Sequence, residues 1–236
     1  MNYKLEITLA SALSPGSGEG WAGMIDADIV FDELGLPYIP GRRIKGILRD
    51  SARDVIYALK LAKVPANDSF SLFEEQSDDK DDLDLLFGQR GQERATPLKI
   101  GNAYLANYSA IREWLLWAEH KAPQIISPER VRRTFTSLRQ QTAIDPETSV
   151  AKEHSLRITR VLNRGITFIC EVELNLENGD KFERLLTLAV QVTRNLGGKR
   201  NRGLGQIKCS LTGTGNLNDR VLGHYRKILM ERGNHD

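Results

Sequence analysis

The chain has 236 residues, of which 40% are hydrophobic and 27% are charged. This balance is typical of a globular protein that can bury a sizeable core in one large domain or two small ones. The formal net charge of +2 excludes a uniformly basic chain, although a near-neutral total still allows a local basic surface. No apolar run approaches the roughly 18 residues of a membrane span and no signal-like apolar stretch opens the chain, so we expect a cytoplasmic protein without a membrane partner.

Charge is segregated along the chain. Five basic residues and one acid lie within Arg42–Arg53, whereas seven acids and one base lie within Glu74–Asp84. The near-neutral total is therefore the average of a basic and an acidic surface. The two cysteines, Cys170 and Cys209, lie in apolar, strand-like runs without a Cys or His at metal-ligand spacing. This arrangement predicts buried free thiols and no structural zinc.

The first part of the chain predicts a strand followed by a long helix. Tyr3–Leu9 alternates polar and apolar side chains, as a half-buried strand does. A second extended run, Met24–Phe31, precedes a turn at Pro40-Gly41, and apolar residues then recur at helical spacing over Arg43–Leu61. The acidic segment at about 69–91 carries few structure signals, so we interpret it as an insertion loop.

The middle of the chain predicts short elements around a polar segment. Leu98–Leu105 is typical of a short strand, and Tyr108–Lys121 of a helix that carries two tryptophans. Ser127 followed by Pro128 predicts a second helix start, with Ser as the N-cap and Pro at the first helical position. Thr134–Glu153 is polar and irregular in pattern.

The last part predicts a hairpin and the remainder of an α+β fold. Ser155–Leu162 and Ile166–Leu176 flank Asn163-Arg164-Gly165, which is a hairpin turn signal. The remaining predicted elements are a helix, a strand and a terminal helix over Phe182–Leu196, Gln206–Thr212 and Val221–Met230. The order is close to β-α-β-β-α-β. We therefore predict one domain over 1–236, with a ferredoxin-like or RRM-like core and large insertions.

A glycine-rich basic loop, Gly197–Gly205, reads GGKRNRGLG. Glycine lets the backbone approach a ligand closely, and successive N–H groups in such a loop can bind an anion. The candidate phosphate-binding residues here are Gly197, Gly198, Lys199, Arg200 and Arg202. A plain basic turn between a helix and a strand is the alternative interpretation.

A second basic motif, LPYIPGRRIKGILR, opens the long helix. A helix N-terminus has unpaired N–H groups and partial positive charge, which both suit phosphate. The candidate phosphate-binding residues are Arg42, Arg43, Lys45 and Arg49. We expect Arg43, Lys45 and Arg49 to lie on the same face as the glycine-rich loop. An ordinary solvated helix start is the alternative.

The two motifs together resemble a known family. PYIPGRRIKGILR resembles the IPGSSLKGxLR signature of RAMP (repeat-associated mysterious protein) superfamily members of type III CRISPR systems, and GGKRNRGLGQI resembles their C-terminal glycine-rich loop. AIDPETSVAKEHSLRI and GITFICEVEL are also similar to segments of these proteins. One departure is that Arg42-Arg43 stands where the family usually has Ser-Ser, so phosphate contacts by serine hydroxyls do not carry over.

The resemblance is greatest to the backbone subunits of Csm- and Cmr-type effector complexes, the Cas-seven group. It implies a subunit that polymerises along the CRISPR RNA, binds the RNA backbone without reading bases, and meets target RNA and other Cas subunits, copies of itself included. A protruding hairpin, the thumb, pushes one nucleotide out of the guide–target duplex in such subunits. By position, the candidate thumb here is about 137–153.

Asp26 stands where related subunits carry an aspartate used to cut target RNA. A carboxylate there can accept the proton of a 2′-OH that attacks the adjacent phosphorus, or hold a divalent metal such as magnesium or manganese. Asp28 and Asp32 are weaker candidates. The alternative for Asp26 is a loop-capping carboxylate.

Three functions remain open at this point. The first is an RNA-guided backbone subunit that cuts RNA as an endoribonuclease, and the second is the same subunit as a non-cleaving scaffold. The third is a CRISPR RNA-processing endonuclease, which the IPG motif disfavours. The four histidines lie far apart in sequence and do not suggest a nuclease site. Trp114 and Trp117 favour packing in the core or at a subunit interface over stacking on a base.

Overall fold

The computed structural model describes residues 1–14, 29–62, 79–89, 96–145, 147, 149–152, 155–175, 179–198, 202–213 and 217–233. The strands are β1 Asn2–Leu9, β2 Leu98–Ile100, β3 Tyr104–Leu105, β4 Thr136–Gln141, β5 Arg157–Leu162, β6 Thr167–Leu174 and β7 Ile207–Thr212. The helices are α1 Gly41–Leu61, α2 Asp79–Phe87, α3 Tyr108–Lys121, α4 Pro128–Phe135, α5 Gly179–Val192 and α6 Leu217–Gly233.

An antiparallel sheet with the strand order β2-β6-β1-β7 forms the centre of the fold, and β3 also pairs with β6. Alternate residues of β1, among them Leu5 and Ile7, are fully buried, while Lys4 and Glu6 between them are exposed. The apolar stripes of α1 and α5 join the same core cluster. This α+β arrangement is consistent with the predicted β-α-β-β-α-β order.

Strands form in both Ser155–Leu162 and Ile166–Leu176, as predicted. The predicted hairpin is wrong, however, because the two strands do not pair with each other. β5 pairs with β4 in a separate two-stranded sheet, whereas β6 pairs with β1. The physical reason is that both edges of β6 are occupied, by β1 on one side and by β2 and β3 on the other. The turn instead contacts the end of β1, where the Gly165 N–H donates to the Leu9 carbonyl at 2.8 Å.

Two segments that lack sequence patterns are regular in the structure. The described part of the acidic segment contains α2, because Leu83, Leu86 and Phe87 bury an apolar face in the core. The polar segment that was expected to be irregular contains the end of α4 and β4, whose residues are mostly exposed. The strand forms because β5 supplies backbone partners, which no local periodicity can reveal.

Both cysteines are free thiols, as predicted, but only Cys170 is buried, whereas Cys209 is half-buried. Cys170 and Cys209 lie in β6 and β7, on either side of β1. Burial raises the pKa of each thiol to about 12, and Cys209 adds to the shift at Cys170. These thiols are therefore protonated and unreactive at neutral pH.

Candidate nucleic-acid interface

The Pro-Gly turn of the IPG motif docks the start of α1 against β2. A Cβ on Gly41 would lie 2.2 Å from the Ile100 carbonyl oxygen, so only glycine fits there. The Gly41 N–H donates to Oδ1 of Asn102 at 3.0 Å, and Ile39 exchanges backbone hydrogen bonds with Ala103. Packing therefore explains this glycine, and one N–H group of the helix N-terminus is already satisfied within the protein.

The cations of α1 point in different directions. Arg43 lines a cleft of about 360 Å³ together with Gly197 and Gly198 of the glycine-rich loop. Its Nε is buried and has no hydrogen-bond partner among the described residues. Arg42 is exposed to solvent. The cleft thus joins the two sequence motifs through one guanidinium.

Lys45 and Arg49 do not join that cleft, so the expectation that they share its face is wrong. Lys45 Nζ donates to the Leu98 carbonyl at 2.9 Å and to Oγ1 of Thr96. Burial, followed by the charge of Arg49, lowers the pKa of Lys45. The reason is helical geometry. Lys45 and Arg49 are two and six positions after Arg43, and residues at these spacings lie on other faces of a helix. A residue four positions after Arg43 would lie on the same face.

Arg49 holds α2 against α1. It forms an ion pair with Asp84 and donates to the Gly88 carbonyl at 2.8 Å. The Asp84 side chain is 9% exposed and that of Arg49 is 26% exposed. A basic residue of the motif therefore neutralises an acid of the acidic segment within the fold.

Two glycines of the glycine-rich loop are required by packing. Gly197 has φ +78°, and a Cβ there would lie 2.3 Å from the Ser14 carbonyl oxygen. Gly205 has φ +79° and similarly faces the Leu196 carbonyl oxygen at 2.1 Å. A Cβ on Gly198, in contrast, would meet no described atom within 4 Å. The described residues thus leave the space above Gly198 open to a ligand.

The loop also contacts the two-stranded sheet. Arg202 donates from Nη1 to Oε1 of Gln141 in β4 at 2.9 Å. Lys199 and Arg200 lie outside the described residues. The structure therefore joins the glycine-rich loop, part of which lines the cleft at Arg43, to the end of β4.

Asp32 is a structural carboxylate. Its Oδ1 accepts the N–H groups of Leu34 at 3.0 Å and Leu36 at 2.8 Å, and its Oδ2 accepts the Tyr108 hydroxyl at 2.9 Å. Burial, with the Asp32 contact next, raises the pKa of Tyr108 to about 12. Asp26 and Asp28 lie outside the described residues. No group of three or more His, Cys, Asp or Glu among the described residues is arranged to hold a metal ion.

Sequence comparison decides the family. The RAMP superfamily profile matches residues 20–208. The chain is a member of the RAMP superfamily. The match spans both basic motifs. No curated protein sequence matches this RAMP protein.

Solved CRISPR complexes contain chains with the same fold as this RAMP protein. A chain of the type III-B Cmr-beta complex in its apo state has a TM-score of 0.62 and 14% identity, covering 91% of this chain and 98% of that chain. A chain of type III-B Cmr-beta bound to cognate target RNA has a TM-score of 0.62 and 12% identity, covering 94% and 98%. A chain of a type IV-B CRISPR complex has a TM-score of 0.52 and 14% identity, covering 91% and 92%.

The tryptophans of this RAMP protein lie on the surface of α3. Trp114 is 56% exposed and Trp117 is 60% exposed, so packing in the core of this chain is excluded. His120 is exposed, and the half-buried His224 ring lies 5.4 Å from the ring of Tyr225. His154 and His235 lie outside the described residues. Across the part of the chain that the structure describes, no helix is long and apolar enough to span a membrane.

Sequence reasoning missed one basic group of this RAMP protein. Arg132 of α4 and Arg160 of β5 lie with their guanidinium carbons 5.1 Å and 5.8 Å from the ring centroid of Phe31. The run of arginines after the Ser-Pro helix start was a visible sequence signal for Arg132. Nothing in the sequence places Arg160 beside Phe31, because three distant segments supply the three residues.

Proposed function

We propose that this RAMP protein binds RNA as a backbone subunit of a type III CRISPR effector complex, and contacts the RNA backbone rather than its bases. The observation that carries the proposal is the cleft in which Arg43 faces Gly197 and Gly198. It brings together two basic motifs from opposite ends of the chain. The similarity of fold to chains of type III-B and type IV-B complexes supports the assignment.

The cleft has the chemistry of a phosphate site. Arg43 supplies a half-buried guanidinium, whose hydrogen bonds to an anionic oxygen are strengthened by partial exclusion of water. Gly198 leaves room for close approach of a phosphate, whose hydrogen bonds come from side chains because the Gly198 N–H already donates to the Ser14 carbonyl. Lys199, Arg200 and Arg202 of the loop and the exposed Arg42 add positive charge. Such contacts position RNA but carry no base information.

Lys45 and Arg49 act indirectly in this proposal. Their donors bond to Leu98, Thr96, Asp84 and Gly88 of the protein itself. They therefore fix the orientation of α1, and with it the position of Arg43. Removing either charge should disturb stability before it disturbs RNA contacts.

The partners in this proposal are the CRISPR RNA, the complementary target RNA and other subunits of the complex, copies of this chain included. The candidate thumb at 137–153 contains most of β4 and follows α4. The hydrogen bond between Arg202 of the glycine-rich loop and Gln141 of the candidate thumb supports a single RNA path that passes the loop and the thumb.

Cleavage of the target RNA is the further part of the proposal, with Asp26 as the base that accepts the 2′-OH proton. In-line attack of that oxygen on the adjacent phosphorus yields a 2′,3′-cyclic phosphate and a 5′-OH. Asp26 and Asp28 lie outside the described residues, and the proposed proton transfer is assigned to the Asp26 carboxylate alone. Dependence on magnesium or manganese stays a prediction of the family resemblance. A non-cleaving scaffold is the second candidate, and it shares every contact except Asp26.

Binding to purified full-length protein tests the proposal. Labelled single-stranded RNAs of equal length but unrelated sequence should bind with similar affinities, and each should weaken steeply as salt increases. RNA recovered from the protein expressed together with its own CRISPR array should carry the repeat sequence. Failure of the full-length protein to bind any RNA, alone or with its partner subunits, contradicts the proposal.

A further inference from the structure

The two-stranded sheet carries basic residues and no acidic ones. Its strands read TSLRQQ in β4 and RITRVL in β5. The pairing register decides which of these side chains share a face. Gln141 lies directly opposite Arg157, so the two side chains project from the same side of the sheet. Arg139 precedes Gln141 by two residues and therefore projects from that side as well.

Arg139 and Arg157 are diagonal neighbours across the two strands, because Arg139 pairs with Thr159 and Gln141 pairs with Arg157. Such neighbours lie about 7–8 Å apart in an antiparallel pair, within reach of long side chains. Both arginine side chains are exposed, and neither makes a hydrogen bond or an ion pair with a described residue. A ligand can therefore engage both without breaking a described contact.

A third arginine reaches this face from the glycine-rich loop. Arg202 donates from Nη1 to Oε1 of Gln141 at 2.9 Å, so its guanidinium lies beside the residue that is opposite Arg157. The Arg202 side chain makes no further hydrogen bond or ion pair with a described residue. The neutral amide of Gln141 thus has three arginines as neighbours, and no described carboxylate pairs with any of them. An anion at this face would reduce the repulsion between the three charges.

The sheet that carries these arginines is anchored in the protein at one end. Thr159 and Val161 project from the same face as Arg157 and are buried, whereas Arg157 at the start of β5 is exposed. The face therefore passes from the protein interior to solvent within one strand. The buried end fixes the backbone from which the exposed arginines project.

The sheet is also tied to the cleft at Arg43. Leu162 at the end of β5 donates its N–H to the Leu13 carbonyl at 2.8 Å, and the next residue, Ser14, accepts the N–H of Gly198 at 3.1 Å. Arg202 is four residues after Gly198, so their Cα atoms are at most about 15 Å apart. A few nucleotides of RNA span the distance from Gly198 to the arginine face.

We infer that Arg139 and Arg157, with Arg202 at their edge, form a binding site for a backbone phosphate of RNA on the two-stranded sheet. This inference rests on the proposed RNA-binding function and adds a named site to it. Guanidiniums match phosphate through paired donors. The site does not select a sequence, since every nucleotide carries the phosphate. The phosphate comes from the RNA strand in the cleft at Gly198 or from a strand paired with it.

Charge-removing substitutions test this site in the full-length protein, with one labelled RNA used as a single strand and annealed to its complement. Arg139→Gln and Arg157→Gln should each weaken binding about tenfold. Weakening of both RNA forms assigns the phosphate to the strand in the cleft, and weakening of the duplex alone assigns it to the paired strand. Arg157→Lys keeps the charge and should retain most of the salt dependence.

The double variant tests whether the two arginines hold the same phosphate. Its affinity loss should be smaller than the product of the two single losses, because the second substitution removes a contact that the first has already weakened. For single-stranded RNA, the slope of log affinity against log salt should become shallower by about 0.7 and not by about 1.4. Losses that multiply fully indicate two separate phosphate contacts and contradict a shared site.

The control is Arg133→Gln, because the Arg133 side chain is 77% exposed on the helix before β4, and it should change affinity less than about twofold. If Arg133→Gln weakens binding as much as Arg139→Gln and Arg157→Gln do, net charge explains the effect and the inference is wrong. If the two site variants lower the melting temperature but leave the salt slopes unchanged, the arginines are structural and the inference fails. If Gly198→Ala weakens binding while both site variants bind both RNA forms like wild type, the inference fails and the proposed function stands. If wild-type protein binds neither RNA form, the proposed function itself fails.

Discussion

Arg43 and Gly198 line the same cleft, although most of the chain separates them in sequence. Arg43 belongs to the first turn of α1, and Gly198 follows the buried Leu196 in the glycine-rich loop. Gly198 donates its N–H to Ser14, which keeps the loop in place beside the helix. The cleft thus exists only in the folded chain.

Gly198→Ala should weaken RNA binding without destabilising the protein. The new methyl group meets no described atom, yet it occupies the space through which a phosphate approaches the loop. We expect an affinity decrease of roughly tenfold, because the methyl group would keep a phosphate from its hydrogen bond with Arg43, and a hydrogen bond to a charged group is worth about 1.5–3 kcal/mol. Gly197→Ala is the contrasting variant, because its Cβ would lie 2.3 Å from the Ser14 carbonyl oxygen, and its melting temperature should fall. Thermal unfolding and RNA titration of both variants distinguish the two effects.

Arg43→Gln should weaken binding of all RNA sequences alike. The change removes the guanidinium from the cleft but keeps a polar side chain of similar reach. We expect an affinity decrease of about tenfold and a shallower salt dependence. Asp50→Asn removes a carboxylate that lines the same cleft, so this variant should instead bind RNA more tightly. A decrease confined to one RNA sequence contradicts backbone recognition.

Asp84→Asn should destabilise the fold while RNA affinity stays the same. The Asp84 side chain is 9% exposed and pairs with Arg49, so the change leaves a guanidinium without its counter-charge between α1 and α2. We expect a decrease of about 1–3 kcal/mol in the free energy of unfolding. For stability, Asp50→Asn is the matched control, because the Asp50 and Arg53 side chains of its ion pair are 63% and 57% exposed and the pair is worth about 0–1 kcal/mol. Equal melting temperatures for the two variants contradict a structural role for Arg49.

Asp26→Asn should abolish cutting and leave binding intact if the carboxylate is the base. The amide keeps the size of the side chain but cannot accept the proton at neutral pH. Cleavage of labelled complementary RNA by the assembled complex should fall about 10²–10⁴-fold. Parallel reactions with magnesium, with manganese and with a chelator test the metal dependence. Unchanged cutting by Asp26→Asn excludes the carboxylate, and tight binding without cutting by wild type favours the scaffold.

Tyr108 should ionise late in an alkaline titration. Its pKa is raised from 10.0 to about 12, chiefly by burial and then by its hydrogen bond to Asp32. A raised pKa in the folded state means that this contribution to stability is complete below pH 10 and is lost as pH rises through about 12. Near-ultraviolet titration of wild type and Tyr108→Phe should show the late component in wild type alone. Disappearance of that component in Asp32→Asn as well would confirm that Asp32 contributes to the shift.

Local patterns in the sequence were sufficient for much of the fold. The alternation in β1 and the apolar stripe of α1 are properties of neighbouring residues, and each predicts its element because one face must leave water. The helix start at Ser127 followed from capping chemistry, and Ser127 Oγ does accept the Arg130 N–H at 3.4 Å. The IPG motif and the glycine-rich loop likewise supplied Arg43, Gly197 and Gly198, which line the cleft.

Tertiary contacts decided the rest, because they join residues that the sequence does not relate. Local turn chemistry at Asn163-Arg164-Gly165 favoured pairing of β5 with β6, but β6 has no free edge and β5 pairs with β4 instead. Helical rotation sends Arg43 toward the loop, whereas Lys45 faces β2. Gly41 is glycine because the Ile100 carbonyl occupies the space of a Cβ, and Arg160 lies near Phe31 although the two residues are far apart in the sequence. The sequence by itself therefore determined which residues carry charge and which segments form regular elements, while side-chain direction and long-range strand pairing required the folded chain.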